Sequence, residues 1–183
     1  MKEVFVGGSR RISRLNEVVR ARLEAMIGAR LGVLVGDANG ADKAVQKHFA
    51  DQGYRNVTVF YSGAQYRNNL SNWPTQQVQP GSGQRGFLFY VAKDVAMAKE
   101  ADYGFMLWDG KSKGTLNNVL NLIERRKKVV VYFDPEQRCY TLSSMDALRP
   151  LLRACPDDAL AGFRRSIELE ARLQQAEAEA NPA

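Results

Sequence analysis

Three times in this chain an apolar run stops at a small or acidic turn and a helical pattern starts at once. Val4-Phe5-Val6 gives way to Gly7-Gly8-Ser9-Arg10. Val33-Leu34-Val35 gives way to Gly36-Asp37-Ala38-Asn39-Gly40-Ala41-Asp42. Phe105-Met106-Leu107-Trp108 gives way to Asp109-Gly110-Lys111-Ser112-Lys113-Gly114-Thr115. Runs this continuous do not suit a half-exposed strand, which alternates apolar and polar residues; they suit strands covered by helices on both faces. Strand, tight turn and helix in repetition imply parallel strands joined by right-handed crossovers. The expected fold is therefore α/β: a Rossmann-like three-layer sandwich with a central parallel sheet of about five strands, plus C-terminal helices.

The five strands are expected at 2–6, 31–35, 57–61, 103–108 and 129–133, with a short edge strand at 139–142. A helix is expected from the recurrence of Leu15, Val18, Val19, Leu23, Met26 and Ile27, and another up to about Gln52 with Val45 and Phe49 inward. A third should span 87–101, with Phe87, Tyr90, Val91 and Met97 on its apolar stripe. A fourth should begin at about Thr115 and end before Arg125-Arg126-Lys127-Lys128, cations that suit a helix C-terminus. Residues 62–86 break the pattern with eight Asn or Gln, no acid, Arg67 and Arg85, and the aromatics Tyr66 and Trp73. So long a loop is usually functional, and a lid is the expected role. Helices at 145–152 and 159–180 follow, giving an α/β domain at 1–142 and a helical extension at 143–183. The last five residues are expected to fray.

The net charge of +6 is uneven, because residues 156–183 carry three arginines against six acids. The basic body suits an anionic partner such as a nucleotide or nucleic acid. No apolar run is long enough to cross a bilayer, and the N-terminus enters a strand without a signal-peptide pattern. Cys139 and Cys155 lie apart with no CxxC spacing, which fits a reducing cytoplasm. His48 is the single histidine, so a His-rich metal centre is excluded and no metal site is expected. No Walker loop occurs, and no GxGxxG follows the first strand, so neither ATP hydrolysis nor nicotinamide redox chemistry is expected, and no cofactor.

In an open α/β sheet, ligands sit outside the carboxyl ends of the strands, and helix N-termini there attract anions. The three turns thus form the candidate site. In the first, Gly7 and Gly8 permit close backbone approach, Ser9 can cap or bind phosphate, and Arg10 can pair with an oxyanion. In the second, Gly36 and Gly40 bracket Ala38 and Asn39, and Asp37 and Asp42 can accept from ribose hydroxyls. In the third, Trp108, Gly110, Gly114, the charge of Lys113 and the N-cap hydroxyl of Thr115 contribute. Asn117 and Asn118 fall in the first helical turn, where Asn is a poor helix former but a good hydrogen-bonding partner. Asp109, just past the strand end, is the candidate catalytic carboxylate.

At these turns the chain resembles the SLOG superfamily, which includes the Smf/DprA DNA-processing proteins and the LOG-type nucleotide phosphoribohydrolases. Gly7-Gly8-Ser9-Arg10 is similar to their first nucleotide-binding turn. Residues 36–42 resemble the DprA pattern Gly-x-Ala-x-Gly-Ile-Asp, with Ala41 for Ile. Lys93, Met97 and Ala101-Asp102 resemble the Arg-Lys-x-x-Met…Ala-Asp helix of LOG proteins, and residues 110–118 a lengthened Gly-Gly-x-Gly-Thr-x-x-Glu turn. The resemblance covers about residues 3–133 and implies a nucleotide pocket. It places Lys93 where LOG proteins carry the catalytic Arg and Asn118 where they carry the catalytic Glu. Lys keeps the charge without the bidentate fork, and Asn cannot take a proton.

Three readings follow. The first is a sensor or effector module that binds a nucleotide or nucleotide derivative. The second is a nucleotide N-glycosidase, phosphoribohydrolase or ribosyltransferase, with Asp109 stabilising positive charge on the ribose and Lys93 assisting. The third is single-stranded nucleic-acid binding, in which Tyr66 and Trp73 stack on bases. Exposed helices make a homodimer the expected assembly.

Overall fold

In the computed structural model, which describes residues 1–180, the elements run β1 (Glu3–Gly8), α1 (Glu17–Gly28), β2 (Gly32–Gly36), α2 (Ala41–Asp51), β3 (Val57–Ser62), β4 (Thr75–Val78), α3 (Phe87–Glu100), β5 (Tyr103–Trp108), α4 (Lys113–Glu124), β6 (Val129–Phe133), β7 (Arg138–Leu142), α5 (Met145–Arg153), α6 (Asp157–Ser166) and α7 (Leu169–Ala180). The sheet order is β4-β3-β2-β1-β5-β6-β7. Every neighbouring pair is parallel except β6 and β7. This is a Rossmann-like three-layer sandwich. Of the residues expected to fray, 181–183 lie outside the described residues.

The alternation along each strand divides the core in two. Val4, Val6, Val33, Val35, Val57 and Val59 face α1 and α2, where they meet Val19, Leu23, Val45 and Phe49. Phe5, Leu34, Phe60, Met106 and Trp108 face the other way, against Met97 of α3 and Leu116, Val119 and Leu120 of α4. The same cluster continues into the C-terminal helices through Leu148, Leu151, Phe163 and Leu173. Both faces of the sheet are thus buried, which is why its central strands read as unbroken apolar runs.

The sheet has seven strands rather than five. The edge strand expected near 139–142 is β7. The other addition, β4, lies inside the segment expected to be a lid. Its sequence Thr-Gln-Gln-Val carries no apolar run because it is an edge strand, with residues alternately exposed and half-buried. The middle of that segment is docked on the body, while Arg67 and Gly86 line the site. Trp73 is only 6% exposed. Its indole donates to the Tyr54 carbonyl at 2.8 Å, and its backbone is clasped by Asn69, which accepts from Trp73 N at 3.0 Å and donates to Trp73 O at 2.9 Å. Tyr66 remains exposed.

Two helix starts also differ from expectation, and capping explains both. Helix α1 begins after Asn16, whose side chain accepts from Val19 N at 3.0 Å. Helix α4 begins at Lys113, not Thr115, because Ser112 is the N-cap and accepts from Thr115 N. Asn117 and Asn118 therefore lie in the second turn.

Candidate functional site

The first turn is a strut. Ser9 is fully buried. Its Oγ donates to Asp109 Oδ1 at 2.9 Å and shares a 3.2 Å hydrogen bond with Thr115 Oγ1. Ser9 N donates to the Leu107 carbonyl at 2.8 Å. A side chain on Gly8 would fall 2.4 Å from that carbonyl, so this glycine serves the close approach of β1 to β5.

The second turn is held by the polar segment that follows β3. Asp37 is 1% exposed, and its carboxylate accepts from Arg67 N and Nε at 3.0 Å and from Nη2 at 2.6 Å. Burial alone would raise the Asp37 pKa, but the Arg67 guanidinium and amide outweigh it and hold the pKa below the usual value. Asn68 donates to the Asp37 carbonyl at 2.8 Å and to Asn39 Oδ1 at 3.1 Å. Gly40 has φ of 83° and lies so close to the Arg10 backbone that a Cβ would sit 2.2 Å from its carbonyl oxygen. Gly36 makes room for a buried charge cluster: a Cβ there would fall 2.3 Å from Asp42 Oδ2 and 2.7 Å from Lys93 Nζ.

The third turn folds around its own carboxylate. Asp109 Oδ1 accepts from Ser9 Oγ, from Lys111 N at 3.0 Å and from Ser112 N at 2.8 Å. Its second oxygen has no hydrogen bond among the described residues. Trp108 is fully buried. It packs on Phe133 and Phe163, and its indole donates to the Ser112 carbonyl at 3.1 Å.

Between these turns, α3 and α4 lies a cleft of about 620 Å³. Of the residues expected at the site, Gly7, Gly8, Arg10, Ala38, Asp42, Lys93, Asp109, Lys113, Gly114, Thr115 and Asn118 line it. Ser9, Gly36, Asp37, Asn39, Gly40, Trp108 and Gly110 do not line it; of these, Ser9 joins the first turn to the third and Gly40 abuts the first turn at Arg10. The cleft also takes in residues that the sequence did not single out. Arg11 extends the cationic rim, while Phe87, Tyr90 and Asp94 come from α3. The Tyr90 ring, 44% exposed, has the Arg10 and Arg67 guanidiniums at 5.7 and 5.3 Å from its centre. Lys113 Nζ sits 4.6 Å from the Phe87 ring centre. A helical period connects Phe87, Tyr90, Asp94 and Met97, and an acid on that stripe was the available signal.

The mouth is cationic. Arg10, Arg11, Lys111 and Lys113 are exposed, and none is in an ion pair among the described residues. The amides of Lys113 and Gly114, first in α4, have no intrahelical partner to find, and the helix dipole adds to their positive field. Gly114 carries no side chain to cover them.

The closed end is ionic, one cation set between two acids. Lys93 is 5% exposed and donates to Asp94 Oδ1 at 2.5 Å. Burial pulls its pKa down, but Asp94 and Asp42 outweigh this and keep it raised. Lys93 is therefore a fixed cation, not a proton acceptor. Burial pushes the Asp42 carboxyl up to about 6, with Lys93 opposing. Asn118 donates to Asp94 Oδ2 at 3.4 Å, while its own Oδ1 is buried without a partner. Asn117 points the other way and accepts from Arg172 Nη1 at 2.7 Å.

Asp42 has a measurable consequence. A carboxyl whose pKa is raised by folding binds more protons in the folded state, so its stabilising contribution is complete below the unfolded value of 3.8 and is lost as pH rises through about 6. The loss is on the order of 3 kcal/mol between pH 4 and pH 7. Asp42→Asn keeps an acceptor for Ala38 N but does not titrate. Urea unfolding across that range should show the wild-type chain losing stability relative to the variant; parallel curves would refute the assignment.

The fold and the cleft find no counterpart by sequence: no family model matches this chain, and a search of curated proteins gives no match.

Proposed function

We propose that this protein binds a nucleotide or nucleotide-derived ligand in the cleft at the carboxyl ends of β1 and β5, as a sensor or effector module. The observation that carries the reading is the pairing of a cationic, aromatic mouth with free α4 amides. Phosphate suits the amides and the four unpaired cations, and a planar base suits the rings of Tyr90 and Phe87. A fixed ammonium at Lys93 and an amide at Asn118 favour holding a ligand over transferring a proton. The turn motifs make the chain a divergent member of the SLOG superfamily in this reading, and a cytoplasmic site of action accords with it. No helix among the described residues is long and apolar enough to cross a membrane.

A thermal-shift screen with ribonucleoside mono-, di- and triphosphates, ADP-ribose and cyclic nucleotides tests the proposal. A ligand present at a hundred times its Kd stabilises by about 2.7 kcal/mol, which for a chain of this length raises Tm by roughly 5–10 °C. No shift with any of them at millimolar concentration would sink it. A steep dependence of affinity on salt with oligonucleotides would favour the nucleic-acid reading instead, although the burial of Trp73 removes one of its two stacking groups.

One observation supports a hydrolytic reading: Asp109 keeps an unbonded carboxylate oxygen in the wall of the cleft. In N-glycosidic hydrolysis that oxygen would stabilise positive charge on the ribose while water adds to the anomeric carbon and the base departs with a proton. Base released from a ribonucleotide by the wild-type chain but not by Asp109→Asn would establish it.

A further inference from the structure

The C-terminal helices enclose a second, smaller cavity of about 190 Å³. Helical spacing builds it. Leu152 and Arg153 follow Arg149 by three and four residues on α5, Arg164 follows Leu160 by four on α6, and Leu173 follows Leu169 by four on α7, so each helix turns one face to it. The floor is apolar: Leu152, Leu169 and Leu173 are buried, and Leu160 is half-buried. The rim is cationic, although the chain from 156 onward carries six acids against three arginines. Two of the rim arginines are engaged. Arg149 Nε donates to Asp146 Oδ1 at 3.2 Å, and Arg164 Nε donates at 2.8 Å to Glu170, the acid in the lining. Arg153 is exposed and has no hydrogen bond or ion pair among the described residues.

We propose that this cavity receives the C-terminal residue of a partner polypeptide, its branched aliphatic side chain on the leucine floor and its terminal carboxylate on Arg153. Size argues for a single residue. The cavity has about six times the volume share of one water molecule, whereas small-molecule sites begin at about 300 Å³. Charge argues for the chain end. One free cation beside an apolar floor complements one negative charge beside one apolar group, and a terminal residue carries both on a single Cα. Within a peptide, an acidic side chain and an apolar one belong to different residues. A phosphate brings a second negative charge, which Glu170 on the rim opposes. The planar fork of Arg153 suits a carboxylate, and the Nη groups of Arg164, unbonded among the described residues, stand on the same rim. The cavity is separate from the cleft described above, so its role does not rest on the nucleotide reading.

The test is an NMR titration of the isotope-labelled full chain with the peptide Gly-Ser-Gly-Ser-Leu, carried to millimolar concentration. Saturable shifts at the amides of α5, α6 and α7 are expected. Amidation of the peptide's C-terminus, or glycine in place of its leucine, should each raise Kd by about 10-fold or more, the first by removing a charge-assisted pair and the second by emptying the floor. Arg153→Gln should raise Kd by a similar factor and leave Tm within ~2 °C of the wild type, because it replaces an exposed residue; Arg153→Lys should fall between the two, keeping the charge without the fork. Octanoate tests for a free aliphatic acid, and tighter binding of octanoate than of the peptide would overturn the assignment to a chain end. Equal affinity for the acid and the amide, equal affinity for the leucine and glycine peptides, full affinity in Arg153→Gln, or no shift at millimolar peptide would each overturn the proposal.

Discussion

Gly40→Ala is expected to cost about 4 kcal/mol and to lower Tm by roughly 10 °C. Two effects add. The φ of 83° and ψ of −128° at Gly40 place an L side chain in a region open essentially to glycine alone, at a cost of about 1–3 kcal/mol. The new Cβ would also lie 2.2 Å from the Arg10 carbonyl oxygen and 2.4 Å from its Cα, both backbone atoms that cannot swing aside. The first and second turns must therefore separate. Gly53→Ala is the control: its φ is 62°, with nothing within 4 Å of the built Cβ, so it should lose only the conformational part, about 1 kcal/mol. Chemical denaturation of the two variants distinguishes strain at one residue from the breaking of a joint. Equal losses would show that the turns do not touch as described.

Phe163→Ala is expected to cost about 4 kcal/mol, the usual toll of emptying a phenylalanine site in a core. Phe163 is 1% exposed, with its ring centre 6.1 Å from that of Trp108. The cavity would open beside the residue whose indole holds the Ser112 carbonyl at the start of α4. The change should therefore appear in tryptophan fluorescence. Trp73, the other tryptophan, belongs to the opposite core cluster and reports separately. A red-shifted emission that disappears in Trp108→Phe is the expected signature. An unchanged spectrum and unchanged stability would mean that α6 does not rest on β5.

The central strands and the three turns were legible because each strand buried on both faces is an unbroken apolar run, and each run ends where the chain must turn. The edges were not legible. Strand β4 gains its place from pairing with β3 and from Trp73 anchoring the preceding bend, and neither leaves an apolar period in Thr-Gln-Gln-Val. Among the site residues, sequence located the turns but not the division of labour within them. Asp37 reads as a free acceptor until Arg67, thirty positions later, folds back onto it. Asn117 and Asn118 read as a pair, yet α4 turns one toward Arg172 and the other into the cleft. Tyr90 and Asp94 were hidden in a stripe whose later half, Met97 and Ala98, is core while its earlier half is a wall of the cleft. A helical period shows which residues share a face; it does not show whether that face meets protein or open space.

The Asp109 carboxylate, bonded to the amides of Lys111 and Ser112, gives the third turn a built-in counter-ion. The turn takes its shape from these bonds within the chain, so a ligand of the proposed kind would have little of it left to order. Association then carries little entropy of loop ordering, and encounter is governed by the field of the mouth. On-rates should fall with ionic strength while the slow phase characteristic of a closing loop is missing.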